Sequence, residues 1–113
     1  MQVLIFNQRS IEEILEVILT IGRIVSAEDK AQKLVDGYKK RLNLLRGKSE
    51  KIQNKPRVYF EEWDDPTFSG IRWVSELIEI AGGEDIFANK SHGKLAMERE
   101  IQWSDVIEKN PDV

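Results

Sequence analysis

The stretch KPRVYFEEWDDPTFSGIRWVSELIEIAGGEDIF, residues 55–87, decides the fold. Pro56 opens it, and Arg57-Val58-Tyr59-Phe60 is short and rich in β-formers, so it reads as a strand. Glu61-Glu62-Trp63-Asp64-Asp65-Pro66 is too acidic for a sheet, and Pro66 lacks the amide that a ladder needs, so a polar loop is expected. Ser69-Gly70 marks the start of a helix, in which Ile71, Val74, Leu77, Ile78 and Ala81 recur at helical spacing. Gly82-Gly83 ends it, because glycine takes the left-handed conformation after a helix without a Cβ penalty. Such a unit puts its loop at the carboxyl end of the strand, where open α/β sheets bind ligands. The loop carries Glu61, Glu62, Asp64, Asp65 and Trp63, with Trp73 just inside the helix, so function is sought there first.

Toward the N-terminus, Val3-Leu4-Ile5-Phe6 is apolar on both faces, as in a strand buried within a parallel sheet. Ser10 with Glu13 forms a capping box for a helix whose apolar face runs through Ile11, Ile14, Leu15, Ile18 and Leu19, with Gly22 as its weak point or end. Ser26 is the expected cap of a second, long helix that carries Ala31, Leu34, Val35, Tyr38, Leu42 and Leu45 and reaches about Ile52. Gly37 costs that helix about 1 kcal/mol against alanine, and close packing against a neighbour would explain it. Its outer face holds Lys30, Lys33, Lys39, Lys40, Arg41, Arg46, Lys48 and Lys51. A solvated face is the plain reading; contact with phosphate or acidic lipid is the other. Toward the C-terminus, 88–99 is a polar, mobile loop. A short extended piece follows from Ile101, then a helix from Ser104 to about Lys109, and Asp112-Val113 leads into another strand.

The chain has 113 residues, enough for one domain and a modest core. With 17 basic and 20 acidic residues the formal charge is -3, which gives no support to nucleic acid as a partner. Cysteine is absent and there is one histidine, which excludes disulfides, thiolate chemistry and a multi-histidine metal site. No basic-then-apolar leader is visible and no run approaches the ~20 apolar residues of a membrane helix. As it stands, the sequence reads as cytoplasmic.

VYFEEWDDPTFSGIRWVSELIEIAGGEDIF, the closing DVIEKNPDV and the preceding long helix resemble the substrate-binding proteins of ABC importers. The branch they resemble captures cobalamin (vitamin B12) or iron–siderophore and haem complexes. The resemblance implies an α/β fold in which two lobes are joined by one long rigid helix, with ligand in the cleft between lobes. On that template residues 1–9 look like the last strand of a first lobe. Residues 10–54 look like a helix pair that includes the linking helix, and 55–113 like part of a C-terminal α/β lobe. Most of the first lobe and the end of the second are not represented, so the resemblance implies impaired capture. It also implies an extracytoplasmic setting (periplasmic or membrane-anchored), an ABC permease as partner, a small-molecule metal complex as ligand, and no intrinsic cofactor.

Trp63 and Trp73 are the first ligand candidates, since indole faces suit the edge of a corrin or porphyrin. For Trp73, core packing is the plain reading. Glu61, Glu62, Asp64 and Asp65 can orient ligand amides, but solvated loop carboxylates are the simpler account; their spacing makes no EF-hand. Arg72 can meet an anionic group or form a surface ion pair. Ser69 lies where backbone amides at a helix start can hold an anion. Trp103 falls near the cleft side of the template, with core packing as its plain reading. The template's permease-docking glutamate is replaced by Ser104, with Asp105 beside it. His92 is a lone histidine, exposed or an axial ligand. No nucleophile, base and orienter can be assembled, so no enzyme is expected. Two alternatives stand beside ligand capture: a self-associating structural fragment that forms a homodimer, and a small metal-dependent enzyme built on Glu61–Asp65.

Overall fold

The computed structural model describes residues 3–113. Helix α1 spans Ile11–Ile24 and α2 spans Glu28–Ser49. Then come β1 (Arg57–Val58), β2 (Glu61–Asp64), β3 (Thr67–Ser69), α3 (Arg72–Ala81), β4 (Glu84–Asp85), a 3₁₀ turn (Ala96–Arg99) and α4 (Trp103–Lys109).

Local chemistry sets most of these boundaries. The Ser10 side chain accepts from the Glu13 amide at 3.2 Å, and the Glu13 carboxylate accepts from the Ser10 amide at 3.3 Å, as the capping box requires. Gly22 does not end α1. It is buried, and an added Cβ would lie 2.4 Å from the Ala31 Cβ, so the missing side chain lets α1 and α2 touch. Ser26 is not the cap of α2: its backbone turns left-handed (φ 53°) and Ala27 takes the cap position. The reason is the short connection, in which the Ala27 amide reverses the chain by donating to the Gly22 carbonyl at 2.7 Å. Gly37 has nothing within 4 Å of an added Cβ, so close packing does not explain it. At 1.5 Å per residue α2 is about 33 Å long.

The strand–helix unit at the centre is present. β1 pairs in parallel with β4, Arg57 opposite Glu84 and Val58 opposite Asp85. On the other edge of β1, the Val113 amide donates to the Arg57 carbonyl (3.2 Å) and the Tyr59 amide to the Val113 carbonyl (2.8 Å). That is the pattern of a parallel ladder, so Asp112-Val113 extends the sheet. Gly82 closes α3 at φ 95°, where a Cβ would meet the Ile52 side chain at 2.5 Å. Ile86, Phe87, Ile101 and Val106 form the core beside the sheet, with Tyr59 packed against it.

Two further expectations fail. The acidic segment 61–64 is not a loop. It is β2, paired antiparallel with β3, because the turn at Asp65-Pro66 falls between the two strands and leaves Pro66 outside the ladder. The 88–99 segment is not simply a loop either: it ends in a 3₁₀ turn whose Arg99 is 5% exposed. Val3, Leu4, Ile5 and Phe6 are all exposed and have no ladder partner among the described residues.

The shape is a slab of 51 × 40 × 17 Å with a radius of gyration of 16.8 Å. A closed domain of this length would have about 13 Å. The accessible surface is 8335 Å², against about 6400 Å² for a closed monomer of this mass.

Candidate functional site

Past the carboxyl end of β1 the chain runs through Tyr59 and Phe60 into the β2–β3 hairpin. Tyr59 is half-buried. Its hydroxyl donates to Glu61 Oε2 at 2.9 Å. Its ring edge meets Trp103 with centroids 6.0 Å apart and planes at 69°, and meets Phe87 at 6.0 Å and 71°. Burial pushes the Tyr59 phenol above its ordinary value near 10, and the hydrogen bond and charge of Glu61 push it further. The hydroxyl is therefore a donor throughout the neutral range.

Trp63 lies two residues beyond Glu61 on β2. It is 61% exposed, and its Nε1 donates to the Asp65 carbonyl at 3.1 Å, which restrains the indole on the surface. Trp103 is 54% exposed at the first residue of α4. Glu62 points elsewhere: both its oxygens accept from the Arg99 guanidinium, and Arg99 Nη1 also donates to the Ser69 carbonyl at 2.7 Å. Ser69 is 1% exposed, and its hydroxyl donates to the Arg99 carbonyl at 3.1 Å. Ser69 is thus part of a buried lock between the hairpin and residue 99. It is not placed as a surface anion site.

The other candidates lie apart from this end of the sheet. Trp73 lines an apolar groove of about 370 Å³ with Ile14, Ile18, Tyr38 and Leu77, against α1 and α2. Arg72 Nε donates to Glu76 Oε1 at 2.9 Å, while Glu76 Oε2 accepts from the Ile11 amide at 2.8 Å, so this ion pair ties α3 to the start of α1. Ser104 is exposed on the first turn of α4, and Asp105 Oδ2 accepts from the Gln102 amide at 3.1 Å, capping its own helix. His92 is exposed. Among the described residues no three His, Asp or Glu side chains converge where a metal ion could sit.

The structure therefore brings together Glu61 and Trp103 through Tyr59, with Trp63 on the same strand as Glu61. Tyr59 and Arg99 did not stand out as site residues in the sequence. Tyr59 read as one more strand former, although a tyrosine two residues before a glutamate on a strand is the available signal. Arg99 carried none, since its partners lie 30 and 37 residues away.

A two-stranded parallel sheet, a long preceding helix and an aromatic, acidic surface beyond the strand end make up part of an α/β lobe. The chain belongs to the periplasmic binding protein family, whose sequence profile matches residues 1–113. It is 26% identical over 106 residues to the vitamin B12-binding protein of Vibrio parahaemolyticus serotype O3:K6 (strain RIMD 2210633), covering 92% of this chain and 37% of that protein. Its fold is similar to that of a possible iron-binding (periplasmic solute-binding) protein from Staphylococcus epidermidis ATCC 12228. The TM-score is 0.73 at 21% identity, covering 95% of this chain and 41% of the other. The chain thus spans well under half the length of either relative. Among the described residues no helix is long and apolar enough to cross a membrane.

Proposed function

We propose that this chain contributes one wall of a ligand-capture site in an ABC-type importer system, and that the ligand is a flat metal complex of the cobalamin or iron-complex class. The observation that carries the reading is the exposed Trp103 indole, which Tyr59 holds together with the Glu61 carboxylate just beyond β1; a second exposed indole, Trp63, lies on the hairpin that follows. Indole faces offer a large apolar area with a polar N–H, which matches a corrin or porphyrin. The name of the Vibrio relative supports a corrinoid and that of the Staphylococcus neighbour an iron complex. Capture needs no chemistry from the protein, so the reading is non-enzymatic. A single wall encloses less of a ligand than a closed cleft, and affinity falls accordingly. Ser104 and Asp105, exposed or half-exposed on the first turn of α4, are the proposed contact to the permease.

The test is quenching of tryptophan fluorescence by cyanocobalamin, haemin and a ferric siderophore, corrected for inner-filter absorption. Saturable quenching by one of them that weakens in Trp63→Ala is the expected result. Absence of saturable quenching by all three overturns the reading.

A second reading, self-association, is favoured by a different observation: the exposed run Val3–Phe6 and the apolar groove at Trp73. Both are surfaces that a second copy could cover.

A further inference from the structure

We propose that Tyr59 is a positioning residue of this platform. The platform it sets selects flat ligands whose rims donate hydrogen bonds, as primary amides or ammonium groups do, over ligands rimmed with carboxylates. The inference rests on the ligand-capture reading above and names the ligand chemistry of the same site.

Three contacts converge on the one side chain. The hydroxyl holds Glu61 Oε2 at 2.9 Å, one ring edge contact holds Trp103, and another reaches Phe87, which is 3% exposed in the core. Tyr59 therefore ties an exposed indole and an exposed carboxylate to the rigid part of the molecule. Neither is fixed by its own element. Trp103 is the first residue of a short helix, and Glu61 opens an exposed strand. An unanchored glutamate would spread over many rotamers, and a ligand would have to order it.

The chemistry of the platform follows from which groups are already engaged. Glu62 is used by Arg99 through both oxygens. Glu61 is used by Tyr59 through Oε2 only, and among the described residues Oε1 is left to accept. Tyr59 shares no charge with it, because the phenol stays neutral. Of the nearby cations, Arg99 is paired with Glu62 and also donates to the Ser69 carbonyl, while Arg57 donates to the Asn110 carbonyl at 3.2 Å and Lys109 lies over the Phe87 ring at 5.4 Å; neither of these two touches Glu61. A carboxylate rim set against Glu61 would meet like charge at that point. An amide or ammonium rim would meet a fixed acceptor beside an indole face, and charge-assisted hydrogen bonds are the stronger kind.

The experiment uses the whole chain and two flat probes, dicyanocobinamide with its amide rim and haemin with its two propionates, titrated by tryptophan fluorescence. The corrinoid is expected to bind about tenfold tighter or more. Tyr59→Phe keeps the ring contacts and removes only the hydroxyl. It is expected to weaken corrinoid binding roughly three- to tenfold and leave haemin binding nearly unchanged. Glu61→Gln should lower the same preference, and adding Tyr59→Phe to it should have little further effect. An unchanged preference in Tyr59→Phe, or equal loss for both probes, would overturn the role of Tyr59 while leaving ligand capture standing. Tighter binding of haemin by the unaltered chain would overturn the selectivity alone. Failure of both probes and of a ferric siderophore to bind would overturn the capture reading and this inference with it.

Discussion

Gly22 and Gly37 stand in adjacent helices, and their surroundings set opposite expectations. At Gly22 a Cβ would lie 2.4 Å from the Ala31 Cβ, a rigid neighbour that only a helix shift can relieve. Gly22→Ala is expected to destabilise by about 1–3 kcal/mol, read as a drop in thermal midpoint. Gly37 faces open space on α2, so Gly37→Ala is expected to raise stability by about 0.5–1 kcal/mol through backbone entropy and helix propensity. A fall on melting would show that something packs there. Tyr59 gives a pH dependence with a definite sign. Its folded pKa lies above the ordinary value, so the stability it contributes is full below pH ~10 and is lost as pH rises toward the folded value. Alkaline unfolding should be less steep in Tyr59→Phe, and an ultraviolet titration should show this phenol ionising late. At this scale the sequence is readable where partners are close. Ser10 and Glu13 announce their capping box three residues apart. Ser69 does not announce its burial, because the group it serves is 30 residues away.

Among the elements, α2, α3 and the β1–α3 order are legible from periodicity and from the Gly82 stop. The β2–β3 hairpin is not. Its residues are exposed and acidic along β2, so no alternation marks a buried face. Much of what fastens it comes from outside: the Arg99 guanidinium grips Glu62 and the Ser69 carbonyl, and the Ile101 amide donates to the Thr67 carbonyl at 3.0 Å. Arg99→Leu would leave the buried Ser69 carbonyl without its donor and remove the ion pair to the exposed Glu62. The expected cost is about 2–3 kcal/mol, with increased proteolytic cutting in the hairpin as a second readout. Midpoint and cutting pattern both unchanged would show that the hairpin stands without this anchor. The placement of Trp73 also escaped the sequence in part. Helical spacing puts it on α3, but which neighbour it faces depends on how α1 and α2 fold back over that helix. The result separates Trp73 from Trp63 and Trp103, the indoles beyond β1.

At the scale of the whole molecule, the long helix followed by part of an α/β lobe was visible in the sequence through its motif, and the family match agrees with it. The amount of uncovered apolar surface was not visible, because periodicity marks a face without saying what lies on it. The groove at Trp73 and the run Val3–Phe6 remain open. Sedimentation velocity is expected to show association that grows with concentration, and Ile5→Lys or Trp73→Lys should reduce it. A strict monomer at high concentration would remove the self-association reading and leave ligand capture as the account of the chain.

The slab shape also governs how the chain meets denaturant. The slope of stability against urea concentration scales with the surface that unfolding newly exposes. A chain that already shows 8335 Å² while folded has about 15% less left to expose than a closed domain of its mass. Its urea transition should be correspondingly shallower, and a ligand or partner that covers the open face should sharpen it.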